Sequence, residues 1–226
     1  MAIETDAILT EASTLLMDEA RTRWSETELL GHLNSGQLEL VSLKPEANTV
    51  VAAVQLAAGT RQALPSGGIQ FLRLNRNMGT DGATPGKGIR IADMDAMNAD
   101  NPDWHNDTAD SVTVHYLFAE DDPKAFYVWP PQPAASQGHV EEVYSKAPVD
   151  AVIGGGNNIS LADEYRQALL YWILHKAYAK NNAVMANQQR STANLQSFFM
   201  ELGLKDRAEA VHDPSGKAQR KQAVMS

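Results

Sequence analysis

Cysteine is absent from this 226-residue chain. That excludes a disulfide framework, a thiolate nucleophile and any zinc or iron–sulfur site built on cysteine. Aromatic residues make up only 7%, and no apolar run approaches the length needed to span a bilayer. The first twenty residues, MAIETDAILTEASTLLMDEA, lack a basic start and carry Glu4, Asp6, Glu11 and Asp18 through their apolar positions, so they do not read as a signal peptide. A soluble intracellular protein is the expectation. Positive charge is also scarce. With 19 Lys and Arg against 28 Asp and Glu, the net charge is −9, which argues against broad wrapping of nucleic acid, since phosphate binding needs clustered cations.

What is present suffices for a core. Hydrophobic residues make up 43% and charged residues 21%, enough apolar content for one domain or two small ones. Helical spacing of Ile8, Leu9, Ala12, Leu15 and Leu16 predicts a helix over about Thr5 to Glu19. Ser25 and Glu28 form a capping box, with Trp24 and Leu29 as its hydrophobic staple, and open a second helix that Lys44-Pro45 stops. After Pro45 the period becomes alternating. Val50, Ala52, Val54 and Leu56 share one face of a strand, and Ile69, Leu72 and Leu74 begin another. The stretch NMGTDGATPGKG, Asn77 to Gly88, reads as a mobile loop. A short strand at Ile89 to Ile91 follows.

Thr113–Phe118 and Ala125–Trp129 predict a β-hairpin, with Phe126 and Val128 on one face and Tyr127 and Trp129 on the other. Pro130 to Pro133, PPQP, is expected to end that strand in a stiff loop, and His139–Ser145 to form the next strand. Ser160 and Asp163 predict the start of a helix running to about Lys180; a last helix covers about Asn182 to Leu202, with Gly203 as its C-cap. The expected fold is α+β: a helical bundle formed by the N- and C-terminal helices, an inserted small antiparallel β domain and a flexible C-terminal tail. The divisions are an N-terminal helical hairpin at 1–46, a β insert at 47–158, the C-terminal helices at 159–204 and a basic arm at 205–226.

Chemistry-bearing motifs are weak. Gly154 to Gly156 precede the expected helix start, but no P-loop or dinucleotide pattern surrounds them, and a flexible connection is the plainer reading. Asp103, His105 and Asp107 flank Trp104 in a loop that a metal-dependent enzyme or small hydrolase would use, yet at no recognised ligand spacing. His32, His115, His139, His175 and His212 are scattered singly, and no nucleophile motif appears. The acidic run Glu120, Asp121, Asp122 is the polar turn a hairpin needs. PPQP as a polyproline ligand, in a monomeric peptide-binding module, is disfavoured by its position between strands.

Three stretches carry a resemblance over about Leu15 to Leu202: RTRWSETELLGHLNSGQLELVSLKP, then GIQFLRLNRNMGTDGATPGKGIRIADMDAMNADNPDWH, then DPKAFYVWPPQP with GHVEEVYSKAP. Together they resemble the head-to-tail adaptor, or connector, proteins of tailed bacteriophages. The resemblance implies a structural virion protein rather than an enzyme, with no cofactor or metal. Its partners would be the portal protein, a tail or nozzle protein and itself in a twelvefold ring, with DNA passing through the channel without specific binding and no membrane involved. It would be made in the host cytoplasm and reside at the head–tail junction. The basic residues Lys205, Arg207, Lys217, Arg220 and Lys221 are the expected portal interface. Asp81, Pro85, Lys87, Trp129, Pro131 and Gln132 are expected to meet a neighbouring subunit or the tail.

Overall fold

Ser25 starts its helix as the spacing to Glu28 requires: its hydroxyl accepts the Glu28 N–H at 3.3 Å. The computed structural model describes residues 2–118, 121–180 and 185–212. In chain order the elements are β1 (Ala2–Glu4), α1 (Thr5–Leu15), α2 (Glu26–Leu43), β2 (Thr49–Gln55), β3 (Gly59–Ala63), β4 (Gly68–Asn77), β5 (Arg90–Ile91), α3 (Met94–Asp100), β6 (His115–Leu117), β7 (Ala125–Gln132), β8 (His139–Lys146), β9 (Asn158–Ala162), α4 (Arg166–Ala179) and α5 (Met185–His212). The fold is mixed α+β with several antiparallel pairings. The chain divides into two units, one from residues up to Leu40 with those from Pro148 onward, the other Val41–Ala147.

In the first unit α2 buries Leu29, Leu33, Gln37 and Leu40, the stripe its sequence spaces at three and four. The Trp24 indole donates to the Ala177 carbonyl at 2.9 Å, and the Trp172 indole to the Ser35 hydroxyl at 3.0 Å. A Cβ on Gly36 would lie 2.7 Å from the Trp172 ring, so glycine is what lets α2 and α4 approach there. Helix α4 buries residues nearly all round, from Ala168 to Ala177.

Several expectations are corrected in this unit. Helix α1 ends at Leu15 rather than near Glu19, because Met17 and Arg21 take positive φ and the Asp18 carboxylate collects the N–H groups of Thr22, Arg23 and Trp24. Leu15, expected inside, is consequently exposed. Ser160 caps no helix. It lies in β9, paired antiparallel with β1, and the turn Asp163–Tyr165 leads into α4 without a side-chain cap. Gly203 does not end the last helix, since α5 continues through it to His212.

The second unit holds two sheets, β2-β8-β4 and β3-β7-β6-β5. Leu56, Phe71, Leu74 and Val140 from the first meet Tyr116, Phe126 and Val128 from the second in one core, together with Ile89. Phe71 stacks on Phe126 with ring centroids 4.4 Å apart. The hairpin forms as expected, and Phe126 and Val128 are buried while Tyr127 and Trp129 are half-buried.

Strand β4 is bulged three times along β8, so that Phe71, Leu74 and Asn77 oppose Tyr144, Glu142 and Val140. A spacing of three on one strand thus matches two on its partner. PPQP is not a loop: β7 runs through Pro130 and Pro131 to Gln132. The prolines sit where the register with β3 shifts between Gly59 and Arg61, and a bulge demands no donor from them.

Candidate functional site

One asparagine ties together the two stretches expected to form an interface. Asn77, the last residue of β4, is buried; its amide nitrogen donates to the carbonyls of Lys87 at 3.0 Å and Thr113 at 2.8 Å, while its amide oxygen accepts the Thr113 N–H at 2.8 Å. Gln132 does the same from β7. Its nitrogen donates to the Asp110 carbonyl at 3.0 Å and the Thr113 hydroxyl at 3.3 Å, and its oxygen accepts the Gly138 N–H at 2.9 Å. His139 closes the set, with its carbonyl accepting Met78 N–H and its N–H donating to Gly79, both at 2.7 Å. The Asn77 and Gln132 side-chain amides thus both donate and accept, which fixes the geometry.

The loop from Asn77 to Gly88 therefore has a bonded base, and its tip is bonded too. The Asp81 carboxylate accepts the N–H groups of Ala83 and Thr84 and the Thr84 hydroxyl, which holds its pKa down at about 2. Pro85 and Lys87 are exposed beyond that tip. Trp129 donates from its indole to Asp107 at 2.7 Å and stacks on His115 at 5.8 Å. Pro131 and Gln132, expected to face a neighbour, are buried instead, because both lie inside β7.

Beside this junction lies a cleft of about 650 Å³ lined by Lys87, Gly88, Ile89, Arg90, Val114 and His115. Two exposed cations flank it, and the buried Nδ1 of His115 has no partner. Arg90, His115, Thr113 and Asn77 are the residues that sequence reading missed. Only the position of Asn77, a polar residue ending an alternating strand before a glycine-rich loop, carried a signal.

The residues of the rival constellation are each engaged in hydrogen bonds. His105 Nδ1 lies 2.8 Å from the Thr60 hydroxyl, Asp103 accepts from the Asn106 amide, and one Asp107 oxygen accepts from both Asn101 and Trp129. Trp104 is fully buried and packs edge-on against Tyr127, anchoring the loop to β7. Among the described residues no group of three His, Asp or Glu is placed to hold a metal. Gly154, Gly155 and Gly156 all take positive φ and lead into β9, not a helix, so the phosphate geometry is missing. Among the described residues no helix is long and apolar enough to cross a membrane.

Of the expected portal residues, Lys205 and Arg207 fall within α5, whereas Lys217, Arg220 and Lys221 lie outside the described residues. Residues 5–219 match the family model described as SU10 adaptor protein. No curated protein matches the chain.

Proposed function

The chain belongs to the SU10 adaptor protein family of phage head-to-tail adaptors, and from that membership we propose that it is a ring subunit joining the portal to the tail. It is a structural virion component, and its family is not one of enzymes. The finer reading is a twelvefold ring with an open channel through which DNA passes without specific binding, in line with the net charge of −9. Helices from the two chain ends form its bundle, and residues 205–226 are the basic arm that docks on the portal. Lys205, Arg207, Lys217, Arg220 and Lys221 meet the portal on that arm.

Asp81, Pro85, Lys87 and Trp129 meet the neighbouring subunit or tail ring, with Pro131 and Gln132 supporting them from within β7. The family match over residues 5–219 carries this reading. Imaging of the particle-bound protein tests it: a cyclic ring between portal and tail is expected, and a monomer or a location elsewhere overturns it. Deleting residues 205–226 is expected to abolish co-assembly with the portal; undiminished binding removes the arm from the proposal.

A further inference from the structure

Strand β2 is an edge strand of its sheet, and its seven residues, TVVAAVQ, contain no charge, glycine or proline. All seven pair with β8 in unbroken register. The Leu56 N–H donates to Gly138, one step beyond that ladder. Because bonding direction alternates along a strand, Val50, Ala52 and Val54 turn their backbone groups to β8, while Thr49, Val51, Ala53 and Gln55 turn theirs outward. These four residues are exposed, Val51 by 56%. An edge so regular and uncharged is a template for another strand.

The far edge of the same sheet is blocked. On β4, Phe71 donates to the Pro123 carbonyl, Asn77 donates to Lys87 and Asn75 accepts from Ile89, besides the three bulges. Protection is thus spent on one edge and withheld from the other.

A second observation says what the incoming strand carries. Glu142, in the middle of β8 and opposite Ala52, is fully buried, and neither carboxylate oxygen has a hydrogen-bond partner. Its neighbour on the other side is Leu74. A strand added outside β2 places its residue beside Ala52 about 10 Å from Glu142, two strand spacings away. The alanine side chain leaves room for a long one to lie across it, and a lysine or arginine stem spans that gap together with the glutamate's own.

We propose that the outer edge of β2 accepts an extended segment of a second virion protein, with a lysine or arginine beside Ala52 that pairs with Glu142. The donor is a different polypeptide. Among the described residues, strand cations of this chain are engaged or badly placed: Arg61 is held by Asp122, Arg76 by Glu141 and Arg73 by Asn75, Arg90 lies in a strand of two residues, and Lys146 ends the central strand β8 of this same sheet. Two β2 strands joined symmetrically make a closed dimer, which a cyclic ring excludes. That last step rests on the adaptor reading.

Hydrogen exchange on the full chain, free and in its particle, tests this without a variant. The amides of Val51, Ala53 and Gln55 are expected to exchange fast in the free chain and at least 100-fold more slowly after assembly, with Val50, Ala52 and Val54 protected throughout. Ala53→Pro removes only an outward N–H, so it is expected to fold and to enter particles at least tenfold less well. Glu142→Gln is expected to weaken incorporation by a similar factor. Fast exchange of the three amides in the particle overturns the proposal while a visible ring leaves the adaptor reading standing. Protection already present in a free homodimer assigns the edge to a second copy and overturns the donor; a Glu142→Gln protein that enters normally overturns the ion pair.

Discussion

Glu142 makes the β unit sensitive to pH in a direction opposite to that of most carboxylates. Burial pushes its pKa from the ordinary 4.5 up to about 7, with no charge or hydrogen bond to offset the desolvation. The folded chain therefore keeps a proton that the unfolded chain has lost. Stability from this group is present in full below pH 4.5, falls as pH rises from there to 7, and is lost above it. One bound proton of difference is worth about 1.4 kcal/mol per pH unit, so the loss amounts to about 3 kcal/mol.

Glu142→Gln keeps the shape and removes the titration. Exchange of β8 amides between pH 5 and pH 8, corrected for intrinsic rates, reports the opening free energy of this sheet. The variant should gain on the native chain by about 2–3 kcal/mol across that interval. A difference that stays constant with pH refutes the reasoning, because it means the carboxylate finds a partner or water in solution.

Three further outcomes follow from packing and bonding. Asn77→Ala leaves the Thr113 N–H and the Thr113 carbonyl without their buried partner, and urea unfolding should show a loss of about 2–3 kcal/mol. Trp104→Ala empties a fully buried site against Tyr127 and should cost about 3–5 kcal/mol in the same assay. Gly138→Ala drives a Cβ to 2.0 Å from the Ser111 carbonyl oxygen, whereas Gly31→Ala meets nothing within 4 Å in α2; calorimetry should find the first destabilised by about 1–3 kcal/mol and the second stabilised by up to about 1 kcal/mol.

Helix α2 was legible because its signals are local: Ser25 and Glu28 at one end, Lys44-Pro45 at the other, and a stripe between. Strand β8 was legible from the alternation of Val140 and Tyr144. Other elements depend on distant partners. Phe71, Leu74 and Asn77 recur every third residue, a period that belongs to neither an ordinary strand nor a helix and arises only from bulges against β8. Ser160-x-x-Asp163 imitates a capping box within a strand whose existence depends on β1, more than 150 residues earlier. The prolines of PPQP read as a stop because a proline lacks a donor, but β7 needs none where its register with β3 slips.

The two stretches proposed as an interface differ between sequence and fold. As sequence they are separate loops, one glycine-rich and one proline-rich, each free to adapt to a neighbour. In the fold they meet on one strip, Asp110 to Thr113, which Asn77 grips from β4 and Gln132 from β7. Lys87 is carried on the first of these clamps through its own carbonyl, and Trp129 stands three residues before the second. An interface on such a surface would dock without first ordering itself, so less of its interaction energy would be consumed by lost freedom. Loosening either clamp should therefore weaken contacts made by both stretches. If Asn77→Ala reduced binding at Lys87 while leaving contacts at Trp129 untouched, the two would have to be independent loops after all.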